Sequence, residues 1–361
     1  MNQAPFPTPC TELFGTRLPI VAGGLMWLSD ARYVAAASRA GIIGFITAAT
    51  FPEPDALRAE IRRCRELCEG GPFGVNVSML PKLVSPAKTR EVFELIVDEG
   101  VKFVETSGRN PEEFMPLLKG AGVKVLHKVP AVRYAVKAAS IGVDAVAIVG
   151  AECGGHPGLD MVGSFVNAAW ADSHLSIPYL IGGGTGHGSQ VVAALAMGAA
   201  GVVVGTRFVV ADEVWAHADY KRRLVEAGPT DTDLCMQSVR NTIRTLRNDT
   251  TAAVKTIEAG NPQVTIQELL PLVSGKIGRN AYVDNVNGFI PDSSARRREP
   301  HFAAHQCSWR QWHAHKIGFP PSRERRRGAG TTAGAREVGF ANGGNDAEMS
   351  TVLFGTVTHT Y

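Results

Sequence analysis

In the stretch AECGGHPG, residues 151–158, a histidine stands between paired glycines and a Pro-Gly step, directly after the apolar run VDAVAIVG. An imidazole titrates near neutrality, so at the end of a strand His156 can accept or deliver a proton at physiological pH. Gly154 and Gly155 open space beside it, and Pro157-Gly158 stiffens and turns the chain. The structural alternative for such a residue is a loop histidine hydrogen-bonded to backbone. A second candidate is Lys128, in VLHKV (125–129). Side chains alternate along a strand, so only one of His127 and Lys128 faces inward, and an interior lysine needs an anionic or electron-rich partner. That partner is either a ligand or a carboxylate of the protein itself.

Two glycine-rich groups supply a different chemistry. LIGGGTGHGSQ (180–190) leads into a helical pattern, and VVGTRF (203–208) ends the next apolar run. Glycines let backbone N–H groups approach an anion closely, and a helix N-terminus adds its positive end, so the pair is expected to cradle a phosphate. His187, within the first group, is expected to be a bystander beside that phosphate.

These residues must be held by regular elements. Eight short apolar, β-branched runs recur at 18–24, 41–49, 72–79, 101–108, 123–129, 143–150, 177–184 and 200–206. They are apolar on both faces, as strands are when helices cover one side and a closed interior the other. Between them SDARYVAAASRA, EPDALRAEIRRCRELC, PAKTREVFELIVDE, NPEEFMPLLKGA, VRYAVKAASI and GSQVVAALAMGA have helical spacing. Eight strand–helix units predict an α/β fold, a (β/α)8 TIM barrel over residues 1–208, with an open doubly wound sheet as the alternative. In such a barrel the chemistry sits at the carboxyl ends of the strands, where the candidate residues fall. Residues 209–292 are expected to form a helical subdomain that lids and closes the barrel, with EVWAHADYKRRLVEA, TDLCMQSVRNTIRTLRND and TAAVKTIEA as its helices. Residues 293–361 form a basic, low-complexity tail expected to be disordered, with a composition resembling out-of-frame coding.

Composition narrows the classes of function. The tail holds ten of the 37 basic and five of the 34 acidic residues, leaving 27 and 29 in the body, so no extended cationic surface for nucleic acid is expected. The six cysteines form no CxxC pair, which fits reduced thiols in the cytoplasm and no metal site. No signal-like N-terminus and no run of about 18 apolar residues occurs, so no membrane association is expected. The partners expected are a small-molecule substrate and O2, with a homo-oligomer left open.

From about Pro19 to Asp249 the chain resembles the nitronate monooxygenases, once called 2-nitropropane dioxygenases, which are FMN-dependent barrel enzymes. The resemblance is carried by HKVPAVRYAVKAASIGVDAVAIVGAECGGHPG (127–158), IGGGTGHGSQVVAALAMGAAGVVVGTRF (181–208) and RNTIRTLRN (240–248). It implies FMN as cofactor, with its phosphate on the backbone of Gly183, Gly184, Gly205 and Thr206. It also implies that Asn76 and Lys128 approach the flavin ring, that Gly155 borders it, and that the loop bearing Gly23, Gly24 and Met26 runs along it. A cation beside the ring would stabilise anionic reduced flavin. His156 matches the catalytic histidine of the family, which implies removal of the α-proton of a nitroalkane or a hydrogen bond to the nitro oxygens of a nitronate. The implied reaction consumes O2 and yields a carbonyl compound and nitrite. Two features depart from the family: IGGGTGHGSQ lacks the acidic residue of the common AGGIADGRG, and Gly23-Gly24-Leu25-Met26 stands where many relatives carry Ala-Pro-Met. The alternatives are an FMN-dependent NAD(P)H reductase of the enoyl-acyl carrier protein or quinone type, and a non-catalytic flavin- or phosphate-binding barrel.

Overall fold

In the computed structural model, residues 7–79 and 85–273 are described, and the expectation for the tail at 293–361 lies outside them. The chain runs α1 (Pro9–Phe14), β1 (Ile20–Ala22), α2 (Ala31–Arg39), β2 (Ile43–Thr47), α3 (Pro54–Cys68), β3 (Gly74–Met79), α4 (Pro86–Asp98) and β4 (Phe103–Gly108). It continues through α5 (Met115–Gly120), β5 (Lys124–Val129), α6 (Val132–Ser140), β6 (Ala145–Val149), α7 (Ser164–Asp172), β7 (Tyr179–Gly182), α8 (Gly188–Ala196) and β8 (Gly201–Val204). Strands β1 to β8 are parallel, each beside its sequence neighbour, and β1 pairs with β8 through Ile20↔Val202 to close the barrel. The fold is the expected TIM barrel.

Alternation divides each strand between two cores. Val21, Ile43, Phe45, Leu126, Ala145, Ala147, Leu180 and Val203 form one cluster inside the barrel, while Val104, Val125, Val146, Ile148, Val202 and Val204 join the helices outside it. The interior cluster also includes Cys10 and Phe14 of α1, a short helix capped by Thr8 that plugs the amino-terminal end of the strands. Phe14 meets Phe45 and Phe103 edge to face, with ring centroids 6.3 Å and 5.4 Å apart. Burial pushes the Cys10 thiol up to about 12, so it serves as a small apolar side chain. Cys64 and Cys68, one turn apart on α3, are likewise buried, with their sulfurs 3.7 Å apart.

Outside the barrel, three arginines of α3 converge on one carboxylate. Arg58 and Arg62 reach Glu99 at 2.7 Å and 2.8 Å, and Arg65 bonds the Glu99 carbonyl. The hydrogen bond from Arg62, with further support from Arg58 and against the opposing effect of burial, holds the Glu99 carboxyl down at about 2. A carboxylate with a depressed folded pKa contributes its stability above the unfolded value and loses it as pH falls through the folded one. Thermal denaturation of Glu99→Gln should therefore depend less on pH between 4.5 and about 2 than that of the parent. Parallel curves would show that the cluster contributes nothing.

Beyond β8 the chain forms α9 (Thr206–Val209), α10 (Ala218–Glu226), β9 (Thr232–Cys235), β10 (Ile243–Leu246), α11 (Asp249–Gly260) and α12 (Ile266–Val273). The expected helix over TDLCMQSVRNTIRTLRND is thus corrected to a two-stranded antiparallel sheet, in register Ile243↔Cys235. Met236 and Arg240 have positive φ, 61° and 54°, which ends any helix there, and the backbone bond from Asn241 N–H to the Met236 carbonyl closes the turn. Cys235, Met236, Ile243, Val254, Val264 and Leu269 give this segment a small core of its own.

Candidate active site

The floor of the barrel mouth is built by three neighbouring strands. Register places Asn76 of β3 opposite Glu105 of β4, and Ser107 of β4 opposite Lys128 of β5. Glu105 is fully buried, and its carboxylate accepts hydrogen bonds from the Asn76 amide at 2.5 Å, the Gly24 N–H at 3.1 Å and the Lys128 ammonium at 3.2 Å. Lys128 is the inward-facing member of its pair, as expected, and its partner is a barrel carboxylate. His127 points the other way, buried against the Thr106 hydroxyl at 2.8 Å, and burial drives its pKa down to about 4. It has no place in the site.

The first loop folds over this floor. Leu25 N–H donates to Ser29 Oγ at 2.7 Å, and the Leu25 carbonyl accepts from Thr47 Oγ1 at 3.1 Å, fixing the turn that carries the half-buried Met26. A side chain at Gly24 would place its Cβ 2.6 Å from Asn76 Cβ, so glycine is what lets this backbone reach the Glu105 carboxylate.

His156 hangs on a loop held from two sides. Gly155 and Arg244 exchange backbone hydrogen bonds of 2.9 Å and 2.7 Å, while Arg244 Nε donates to the Ala151 carbonyl at 3.0 Å and Nη1 to Thr232 Oγ1 at 3.1 Å. The sheet beyond the barrel thus clamps the histidine loop. His156 keeps an exposed edge, yet burial lowers its pKa below the ordinary value, opposed by a side-chain hydrogen bond with Asn241. The shift favours the neutral ring, the form competent to take a proton. Replacing Arg244 with methionine should cut kcat by up to about a hundredfold through misplacement of this loop. Unchanged kcat in steady-state assays would deny the clamp a role.

At the ends of β7 and β8 the backbone forms a cradle. Gly183 and Gly184 take left-handed conformations with φ of 93° and 69°, and a Cβ on Gly183 would lie 3.1 Å from Cys153 N, Gly150 O and Ser164 Oγ alike. On the adjacent strand a Cβ on Gly205 would meet only Leu25, at 3.8 Å, and Thr206 begins α9. Gln190 takes the neighbouring amides, accepting from Gly186 N–H at 2.8 Å and His187 N–H at 3.0 Å. His187 caps α8 by accepting from Ser189 N–H, which makes it structural. Glu152 caps α7, its carboxylate 2.9 Å from both the N–H and the hydroxyl of Ser164. An open face at Gly205 beside two left-handed glycines fits a phosphate group.

The structure thus brings together around one mouth Gly23, Gly24, Met26, Asn76 and Lys128 on one side, and Gly155, Gly183, Gly184, Gly205 and Thr206 on the other. The histidine loop adjoins both sides: a Cβ on Gly154 would lie 3.1 Å from Thr206 Oγ1, and Lys128 and Arg244 both act electrostatically on Cys153, whose thiol burial raises. Sequence reasoning assigned no role to Glu105, Asn241 or Arg244. A lone acid in the apolar run VKFVETSG, one strand before an interior lysine, was the available signal for the first. Among the described residues no cluster of acids, histidines or cysteines could hold a metal ion.

A closed eight-stranded barrel with its polar groups and anion cradle gathered at the carboxyl ends of the strands has the architecture of a TIM-barrel enzyme. Residues 8–269 match the nitronate monooxygenase family model, and the chain belongs to that family and is an oxidoreductase. It is 33% identical to (3aS,4S,5R,7aS)-5-hydroxy-7a-methyl-1-oxo-octahydro-1H-indene-4-carboxyl-CoA dehydrogenase of Mycobacterium tuberculosis, over 70% of this chain and 69% of that protein. Among solved structures it is similar to FabK from Thermotoga maritima, at 32% identity and a TM-score of 0.67, over 76% of this chain and 84% of that one. It is also similar to a nitroalkane oxidase from Streptomyces ansochromogenes, at 26% identity and a TM-score of 0.62, over 78% of this chain and 90% of that one.

Proposed function

We propose that this protein is an FMN-dependent oxidoreductase of carbon acids that oxidises alkyl nitronates or nitroalkanes with O2 to carbonyl compounds and nitrite. The observation that carries the reading is His156, its pKa lowered by burial and its loop fastened to Arg244, at the mouth that Lys128 and the glycine cradle share. The amides of Gly183, Gly184, Gly205 and Thr206 would hold its phosphate. Asn76 and Lys128 would serve the flavin ring, with Gly23, Gly24, Met26 and Gly155 contributing to its site. When bound, FMN supplies the electron acceptor that no side chain provides. His156 removes the α-proton of a neutral nitroalkane, or donates a hydrogen bond to the oxygens of a nitronate that arrives already deprotonated. The segment 209–273 serves as the clamp of the histidine loop, and the free thiols among the described residues support a cytoplasmic setting.

A second reading is favoured by the higher identity to the carboxyl-CoA dehydrogenase, 33% against 26% for the nitroalkane oxidase. A carbon next to a thioester carbonyl is also a carbon acid whose conjugate base places charge on oxygen, so the same histidine and lysine would serve it. The test is anaerobic: the yellow holoenzyme is mixed in turn with ethylnitronate, an acyl-CoA and NADH, and the visible flavin band is followed. Bleaching by nitronate alone supports the first reading. Bleaching by the acyl-CoA alone supports the second, and rapid bleaching by NADH alone makes the protein a reductase.

A further inference from the structure

We propose that Glu105 is a positioning residue that sets how much positive charge Lys128 presents to the flavin; the inference rests on the FMN reading above. A carboxylate buried without compensation costs several kcal/mol, so one retained at zero exposure in a barrel wall calls for a reason. Its compensation is complete: the Lys128 ammonium, the Asn76 amide and the Gly24 N–H all donate to it. The three donors come from three different strand ends, so one carboxylate fixes the lysine, the asparagine and the first loop relative to each other.

Exposure then separates the roles within the pair. The Lys128 side chain is 22% exposed and Glu105 not at all, so a ligand at the mouth meets the ammonium with the carboxylate beneath it. An ammonium has three N–H donors and spends one on Glu105, which leaves others for a ligand in front. At 3.2 Å the negative charge behind offsets much of the positive charge in front. Reduction of the flavin to an anion is therefore favoured less than by an isolated lysine. The carboxylate is felt beyond its direct partners as well, since its charge adds to burial in raising the pKa of Tyr33, whose hydroxyl bonds the Gly23 carbonyl at 3.3 Å.

The experiment measures the midpoint potential of bound FMN by spectroelectrochemical titration in four holoenzymes: wild type, Glu105→Gln, Lys128→Met and the double variant. Binding of FMN to each is measured first. Glu105→Gln keeps the shape and removes the charge, and it should raise the preference for reduced over oxidised FMN about tenfold, or about 30 mV for a two-electron couple. Lys128→Met, with its carboxylate uncompensated, should shift the potential downward. The double variant should return close to wild type, an outcome that a merely structural role would not produce. A potential unmoved by Glu105→Gln, with only the melting temperature lowered, would overturn the inference and leave the FMN reading intact. Failure of wild type to bind FMN would overturn both.

Discussion

Replacing His156 with asparagine should lower turnover of a neutral nitroalkane by about 10²- to 10⁴-fold, the contribution of a positioned base, while a preformed nitronate loses much less. The split follows from the chemistry: only the neutral substrate must surrender an α-proton, and asparagine can still donate a hydrogen bond to nitro oxygens. The pH profile supplies an independent check. A base works deprotonated, and burial lowers the pKa of His156, so kcat/KM for the neutral substrate should hold its plateau to a lower pH than an ordinary histidine would allow. Removing the Asn241 hydrogen bond, which favours the charged ring, should move that limb lower still. Equal losses on nitroalkane and nitronate in steady-state kinetics would recast His156 as a substrate-binding group.

Truncating Phe14 to alanine should destabilise the protein by about 3–5 kcal/mol, as loss of a buried aromatic ring does when the site cannot collapse. Phe14 is 2% exposed and wedged edge to face against Phe45 and Phe103, on strands whose closed hydrogen bonding resists inward movement. Urea unfolding should show a lower midpoint with an unchanged slope, and a change below about 1 kcal/mol would mean that α1 only covers the barrel without supporting it. The ring sits at the end of the strands opposite the His156 loop. Folded Phe14→Ala protein should therefore keep its kcat.

The eight strands were legible because each is buried on both faces, and a run such as VDAVAIVG cannot be read as amphipathic. Helix α7 escaped because Phe165, Val166 and Trp170 lie on its exposed side, which removes the polar contrast that marks a surface helix. Strands β9 and β10 were read as helix because each is four residues long and only partly buried, too short for alternation to outweigh the neighbouring helical pattern. Within the site, His156, Lys128 and the glycines announce themselves by local chemistry. Glu105, Asn241 and Arg244 do not, because their roles exist only through register and long-range pairing. For Arg244 the sequence shows one arginine among several in RNTIRTLRN, and nothing local says that its fork ends on the Ala151 carbonyl.

That last contact spans 93 positions of the chain. At ribosomal elongation rates of about 5–20 residues per second, the histidine loop is made roughly 5–20 s before the arginine that fastens it. All eight strands precede Arg244 in order of synthesis. A nascent barrel can therefore close while its histidine loop is still untethered, and maturation of the site becomes an event separate in time from folding of the scaffold.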